Sequence, residues 1–219
     1  MLEMPQSPIT RLCLVRHGET QWNAARRIQG QTDTDLNAIG RRQARAAGRW
    51  LASAGINTLY SSDLRRAWQT AEIIGAALGL TPQPEPALRE RRYGVFEGLT
   101  YEELQRDYPA GYAAFVARDP DYDFENGESL TMLFARVTHA LQEIAARHPG
   151  GCVALVIHGG VLDIVNRFVR HSPLDTPRDF LIPNAGLNWI SCHDGHWTIE
   201  GWGLTEHLLA GDPASDDVV

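Results

Sequence analysis

Leu14-Val15-Arg16-His17-Gly18-Glu19-Thr20 is the stretch whose reading decides the fold. Residues 11–15 form a short apolar run suited to a buried parallel strand, and the run stops at a cation, an imidazole and a glycine. A histidine at a strand end is often a satisfied structural residue, so its meaning rests on what the chain brings to it. Cys152 to Ile157 repeats the pattern: a clear buried strand runs into His158-Gly159-Gly160 and then an apolar helix over residues 161–169. In open α/β sheets ligands sit beyond the carboxyl ends of strands, so both histidines should face one crevice.

Between the two strands, strand and helix alternate. Asn37 can cap a helix to about residue 54, with Trp50 and Leu51 on its apolar face and Gly55 stopping it. Residues 58–60 read as a second strand, followed by a helix over residues 64–78 that Ser61-Ser62-Asp63 can cap and Gly79 ends. Residues 81–86 are proline-rich and extended, and residues 88–98 suggest a loop against a pocket. Thr100-Tyr101-Glu102-Glu103 has the capping-box pattern of a short helix, while residues 109–127 show no sustained period. Ser129 can cap the longest later helix, ended by His148-Pro149-Gly150. Residues 188–192 and 196–202, joined around Asp194-Gly195, look like an edge hairpin that includes Trp189. The pattern predicts an α/β fold: a three-layer sandwich with a mostly parallel central sheet flanked by helices. Residues 9–208 read as a single domain with a small inserted cap at about 99–128, and residues 1–8 and 209–219 as flexible tails.

Composition narrows the function. The chain has 219 residues, 43% of them hydrophobic and 21% charged, enough for a sizeable core. A net charge of −7 argues against nucleic acid as a partner, so an anionic ligand needs a local pocket. Cys13, Cys152 and Cys192 lie in strand-like runs and read as buried thiols of a reducing compartment. No apolar run reaches the ~18 residues of a membrane span, and no secretory leader is evident, so a cytoplasmic protein without a membrane partner is expected.

The pocket implied by the strand ends suits phosphate. Glycine after each histidine lets the backbone approach a ligand, and the helix after His158 aims its first amides, Gly159 among them, at the same place. Arg16 adjoins His17, and Arg65-Arg66 start a helix that follows a strand. Guanidinium grips phosphate oxygens in bidentate fashion, and helical spacing turns only one of the pair inward.

These residues resemble the histidine phosphatase superfamily, also called phosphoglycerate mutase-like. Arg16-His17-Gly18 matches its signature, and four further blocks follow in order. Gln21-Trp22-Asn23 with Gln29-Gly30 is similar to its phosphate loop, residues 61–71 to its arginine block, residues 88–98 to its acid loop, and residues 157–160 to its second histidine. The match spans about residues 11–205. The resemblance implies a metal-independent histidine acid-type phosphatase, a phosphoric monoester hydrolase without cofactor. His17 is then the nucleophile, passing through a phosphohistidine, and Glu90 the proton donor, preferred over Glu97 on the same loop. Arg16, Asn23, Arg66, His158, Gly159 and the amide of Gly30 are phosphate ligands. Asn23 could equally cap a turn and Gln29 only shape its loop; Gln29 and Tyr93 are the substrate contacts expected. A bound dianion would favour a protonated Glu90 carboxyl by like-charge repulsion. Glu19 reads as loop structure, and the other histidines lack metal-ligand spacing.

The same set can return the phosphoryl group to a sugar acid or release it to water. Glu90-Arg91-Arg92-Tyr93-Gly94 favours the mutase. Against it, Tyr101 stands where the mutases have a lysine, and residues 100–127 offer only Arg106 and Arg118 in place of an arginine pair. Phe115, Tyr122 and Phe124 can form an apolar lid, and Gly127-Glu128-Ser129 suits the phosphatases. The expectation is therefore a phosphatase for small phosphomonoesters, with a phosphoglycerate mutase as first alternative and a silent phospho-ligand module as second. Arg91 or Arg92 is expected to read a second anionic group, and the hairpin edge allows a homodimer.

Overall fold

A computed structural model describes residues 8–209; apart from Pro8 and Leu209, the expected tails lie outside the described residues. The strands are β1 (Thr10–Arg16), β2 (Thr58–Ser61), β3 (Gln83–Pro84), β4 (Cys152–Ile157), β5 (Leu187–His193) and β6 (His196–Leu204). The helices are α1 (Gln21–Ala24), α2 (Ala38–Leu51), α3 (Arg65–Leu78), α4 (Tyr101–Asp107), α5 (Pro109–Val116), α6 (Leu130–Arg147), α7 (Gly159–Arg170) and α8 (Glu206–Leu209). The six strands form one sheet in the order β3-β2-β4-β1-β5-β6. Its β1–β4, β2–β4 and β2–β3 ladders are parallel, and its β1–β5 and β5–β6 ladders antiparallel. The sheet is mixed, as the antiparallel hairpin requires, and mostly parallel where the strand ends meet.

Side chains alternate across each strand and so build two cores. Leu12, Leu14, Val153 and Leu155 pack under α6 and α7, while Cys13, Val15, Ala154 and Val156 pack under α2 and α3. This is the expected three-layer arrangement. A third cluster, around Phe96, Leu104 and Phe124, draws in Tyr93, Tyr108 and Phe115.

Several local expectations change. Leu51 is buried, but Trp50 is 53% exposed and lies against the His207 ring. The residue preceding α3 is Leu64, which supplies no side-chain cap; Ser62 instead accepts from the Leu64 amide, and Asp63 pairs with Arg89. Within 109–127, α5 is a regular helix whose mostly apolar sequence leaves no stripe to read, although Pro109 in its first turn is a helix-start signal. Of the free cysteines, Cys13 is buried and Cys152 and Cys192 are half-buried. In the hairpin, β5 is paired on both sides and β6 is the edge.

The parallel register matters most. Arg16 pairs with Ile157, and Ser61 with Val156, so the residues that follow, His17, His158 and Ser62, emerge side by side. The turn after His17 rests on α2 at a glycine: a Cβ on Gly40 would lie 2.1 Å from the Glu19 carbonyl oxygen and 2.6 Å from its amide nitrogen. Both are backbone atoms, which cannot swing aside. Gly40→Ala is expected to cost about 1–3 kcal/mol by overpacking and to lower activity by moving the His17 turn. Urea unfolding midpoints at unchanged m-value, read beside specific activity, check this.

Candidate active site

His17 is buried, with its Nδ1 2.8 Å from the Gly18 carbonyl oxygen. A carbonyl only accepts, so Nδ1 carries the proton. On the other side of the ring, Arg66 Nε donates to Nε2 over 3.3 Å. That bond requires a lone pair on Nε2. Both contacts select one tautomer, with Nε2 free to attack. Burial, then the Arg66 and Arg16 charges, hold the imidazole well below its ordinary pKa, so it stays neutral.

Arg66, at the start of α3, is buried, whereas Arg65 is exposed, as helical phase requires. Its two terminal nitrogens donate to the carbonyls of Thr32, at 3.0 Å, and Gly30, at 2.6 Å. Gly30 thus holds the arginine through its carbonyl while it lines the pocket. Burial lowers the guanidinium to about 10, still a cation at neutral pH. Thr70 locks the two halves together: it donates to the Arg66 carbonyl and accepts from the Gly18 amide.

His158, ahead of α7, has its Nε2 2.8 Å from Ser62 Oγ. Its Nδ1 and the Nε of Arg16 are buried with no partner among the described residues. The His17 and His158 rings stand 5.2 Å apart, centre to centre. The His158 imidazole is also held well below its ordinary pKa, by burial and then by the Arg66 charge. Arg16 donates to the Ile182 carbonyl at 2.5 Å, and Asn184 bonds the His17 carbonyl and the Asn23 side chain.

Glu90 is buried and accepts from the amides of Arg91 and Gly160, at 2.8 and 3.0 Å. Only glycine fits at 160, since a Cβ there would lie 2.3 Å from Glu90 Oε1. Glu97 points elsewhere: it accepts from the amides of Gln31, Thr32 and Tyr93 and from the Thr32 hydroxyl, and so pins the loop that holds Arg66. Asn23 closes a capping box with Thr20 and also lines the pocket. Gln29 accepts from Thr20 and Thr34 through Oε1 and lines the pocket beside Tyr93. Glu19 accepts from Asn37, as loop structure. The pocket, about 280 Å³, thereby brings together His17, Glu90, Arg16, Asn23, Gly30, Arg66, Gln29, Tyr93 and Gly159, with His158 against its His17 wall.

The model of the histidine phosphatase superfamily (branch 1) matches residues 12–205. The chain belongs to this superfamily. Two Arabidopsis thaliana relatives are similar over nearly its whole length. Phosphoglycerate mutase-like protein 4 is 42% identical over 201 residues, 90% of this chain and 86% of its own. Metal-independent phosphoserine phosphatase is 38% identical over 206 residues, 93% of this chain and 85% of its own. The mycobacterial glucosyl-3-phosphoglycerate phosphatase, solved with VO3, superposes with a TM-score of 0.81 at 32% identity, covering 89% of this chain and 99% of its own.

In this superfamily member, several residues near the site carry no clear signal in the sequence. Ser62, a candidate helix cap by its position, instead orients His158. Asn184, Ile182 and Arg178 come from a stretch without period, in which only the turn-forming Pro183-Asn184-Ala185-Gly186 offers a signal. Arg91 and Arg92 are engaged with backbone carbonyls: Arg91 is buried over the Phe124 ring and donates to the Glu128 and Tyr122 carbonyls, and Arg92 donates to Gly127. Arg106 pairs with Asp107 at the surface and Arg118 with Asp163. Phe115 lines the pocket, while Phe124 is wholly buried behind it. Among the described residues, no helix is long and apolar enough to cross a membrane.

The neutral histidines set a pH dependence. Unfolding releases them to about 6.5, so below that pH the unfolded chain binds more protons than the folded one. Their contribution is intact above about pH 6.5 and is lost as pH falls, by up to about 1.4 kcal/mol per pH unit for each of His17 and His158. Urea unfolding between pH 7.5 and 5.5, in phosphate-free buffer so that no bound anion masks the effect, should show this slope. His17→Asn with His158→Asn should flatten it.

Proposed function

We propose that the protein is a metal-independent phosphomonoester hydrolase acting on small phosphorylated metabolites through a phosphohistidine. The observation that carries this reading is the unprotonated Nε2 of His17 set among the donors of Arg16, Arg66 and His158. Phosphoryl transfer calls for an in-line nucleophile, stabilised equatorial oxygens and a protonated leaving group. His17 Nε2 attacks phosphorus as the bond to the ester oxygen breaks, and the electron pair leaves with that oxygen. Arg66 turns its Nε from the histidine to a phosphoryl oxygen, and Arg16, Asn23 and the unpartnered His158 Nδ1 take the others. Glu90 gives its proton to the leaving alkoxide. The resulting carboxylate then takes a proton from the water whose oxygen attacks phosphorus as the P–N bond breaks and its electron pair returns to Nε2, which releases phosphate and restores neutral His17 and protonated Glu90. A nucleophile held neutral well below pH 6.5 supports an acid-type pH range.

The 42% identical mutase-like relative favours a second reading, return of the phosphoryl group to a sugar-acid hydroxyl. Against it, Arg106 and Arg118 are tied to carboxylates, and a tyrosine, Tyr101, borders the pocket. A phosphoglycerate carboxylate has no arginine pair from the 100–127 segment to hold it while the phosphoryl group resides on His17. Side-by-side assay of phosphate release and of 3-phosphoglycerate to 2-phosphoglycerate conversion decides: hydrolysis should dominate, and mutase flux above hydrolysis would overturn the choice. The complete set of nucleophile, acid and clamps argues against a silent binding module.

Two outcomes test the mechanism. Rapid mixing with a ³²P-labelled monoester and quenching in alkali, where phosphohistidine survives, should trap label on the wild-type chain and none on His17→Ala. Glu90→Gln should lower kcat/KM for alkyl phosphates by about 10²–10⁴, and far less for p-nitrophenyl phosphate, whose leaving group needs no proton. Equal losses on both would remove Glu90 from the role of acid.

A further inference from the structure

Beside the phosphate pocket lies a second chamber of about 210 Å³, and the two share Tyr93, Tyr101, Phe115, Gly160 and Arg178 as walls. The organic half of a bound phosphomonoester has this chamber to enter. Three arginines border it, in different states. Arg91 is committed to the Glu128 and Tyr122 carbonyls, and Arg118 to Asp163 and the Leu174 carbonyl. Arg178, exposed on the loop that precedes Phe180, has no hydrogen bond or ion pair with another described residue. The one acidic wall, Asp163, has its charge answered by both Arg118 and Arg167. Its Oδ1 is nonetheless buried without a partner among the described residues, a ready acceptor for a hydroxyl or ammonium group.

The chamber is therefore cationic, and its one unengaged charge sits where the two cavities join. Tyr101 adds a phenol on the same wall: burial raises it, the Arg178 charge opposes that shift, and at neutral pH it remains an O–H donor. An exposed arginine on a loop is ordinarily a solvated charge. Here it borders both the phosphate pocket and the chamber beside it, which is the placement a second anion would use.

We infer that Arg178 reads a second anionic group, a carboxylate or second phosphate, on the organic half of the substrate, so that the preferred substrates are phosphomonoesters of acids rather than of neutral alcohols. The inference rests on the phosphomonoesterase reading and deepens it. It also moves the anion contact expected of Arg91 or Arg92 to a different part of the chain.

Matched probes test it: 3-phosphoglycerate and glycerol 3-phosphate, which differ by a carboxylate against a hydroxymethyl group. The kcat/KM ratio of acid to alcohol should fall roughly 10- to 100-fold in Arg178→Ala, the size of one charge-assisted hydrogen bond, and further in Arg178→Glu. Raised salt should reduce the wild-type ratio. A ratio unchanged within about threefold in both variants overturns the inference. Turnover of p-nitrophenyl phosphate by the wild-type chain checks the phosphomonoesterase reading on its own. If that turnover is absent, the same two probes are compared by equilibrium binding to the wild-type chain and to both variants. The affinity ratio then takes the place of the kcat/KM ratio, with the same fall expected and the same threefold limit overturning the inference. Thermal unfolding of the variants confirms that they fold.

Discussion

The hydrogen bond from Arg66 Nε to Nε2 of His17, 3.3 Å long, ties the buried imidazole to the buried guanidinium, and much of the structure keeps it in place. A buried guanidinium beside a second cation, Arg16, is costly to desolvate. The carbonyls of Thr32 and Gly30 offset part of that cost, and they need a loop held close to α3. Glu97 supplies the hold by gathering the amides of Gln31, Thr32 and Tyr93. Thr70 closes the circuit from the other side, joining the Arg66 carbonyl to the Gly18 amide. Glu97 is thus what allows the arginine to stand beside the His17 ring.

Strand register does the remaining positioning. Because β1, β2 and β4 run parallel and in step, three strand ends deliver His17, Ser62 and His158 without any long side chain having to reach. The antiparallel side of the sheet contributes differently. Ala185 adopts φ +54, a conformation that L residues other than glycine rarely take, and its amide donates to the carbonyls of both Arg16 and His17. Such backbone persists only where neighbours over-determine it, and His207, on a helix packed against α2, bonds the Ala185 carbonyl. Geometry at the nucleophile therefore depends on contacts that begin at the far end of the chain.

What is legible in the sequence follows from which forces are local. β1 and β4 are readable as apolar runs, α2 and α6 from the capping side chains of Asn37 and Ser129, and it is readable from helical phase that only one of Arg65 and Arg66 turns inward, the family resemblance singling out Arg66. α5 is not, because Tyr112 and Phe115 serve an aromatic cluster while alanines fill the other faces, so no stripe forms. Ser62, Asn184 and Arg178 are hidden for a related reason: each acts across a gap in sequence that only the sheet topology closes. Ser62 meets His158 through the β2–β4 ladder, and no local pattern encodes that. The burial of Arg91 is not legible either, because a charged residue in a loop reads as solvated or ligand-facing, and only the fold brings the Phe124 ring and the carbonyls around it.

The division between strand ends and rim also separates chemistry from selectivity. The donors proposed to clamp phosphate are built on β1, β4 and the first turn of α3, where further bonds and burial hold them, so in that role they would serve any phosphomonoester alike. Uniform grip on a shared group cannot discriminate among substrates, because it contributes equally to all of them. Discrimination must come from groups that touch only the organic half, and these lie on α4, α5 and the loop carrying Arg178, away from the paired strand ends. The same rim decides the fate of the second half-reaction. In the proposed phosphohistidine route, water and the departed alcohol compete for phosphorus, and the alcohol wins only if the rim retains it in line. An arginine pair fixed in that rim would do so; Arg106 and Arg118, each already paired to a carboxylate, do not supply one.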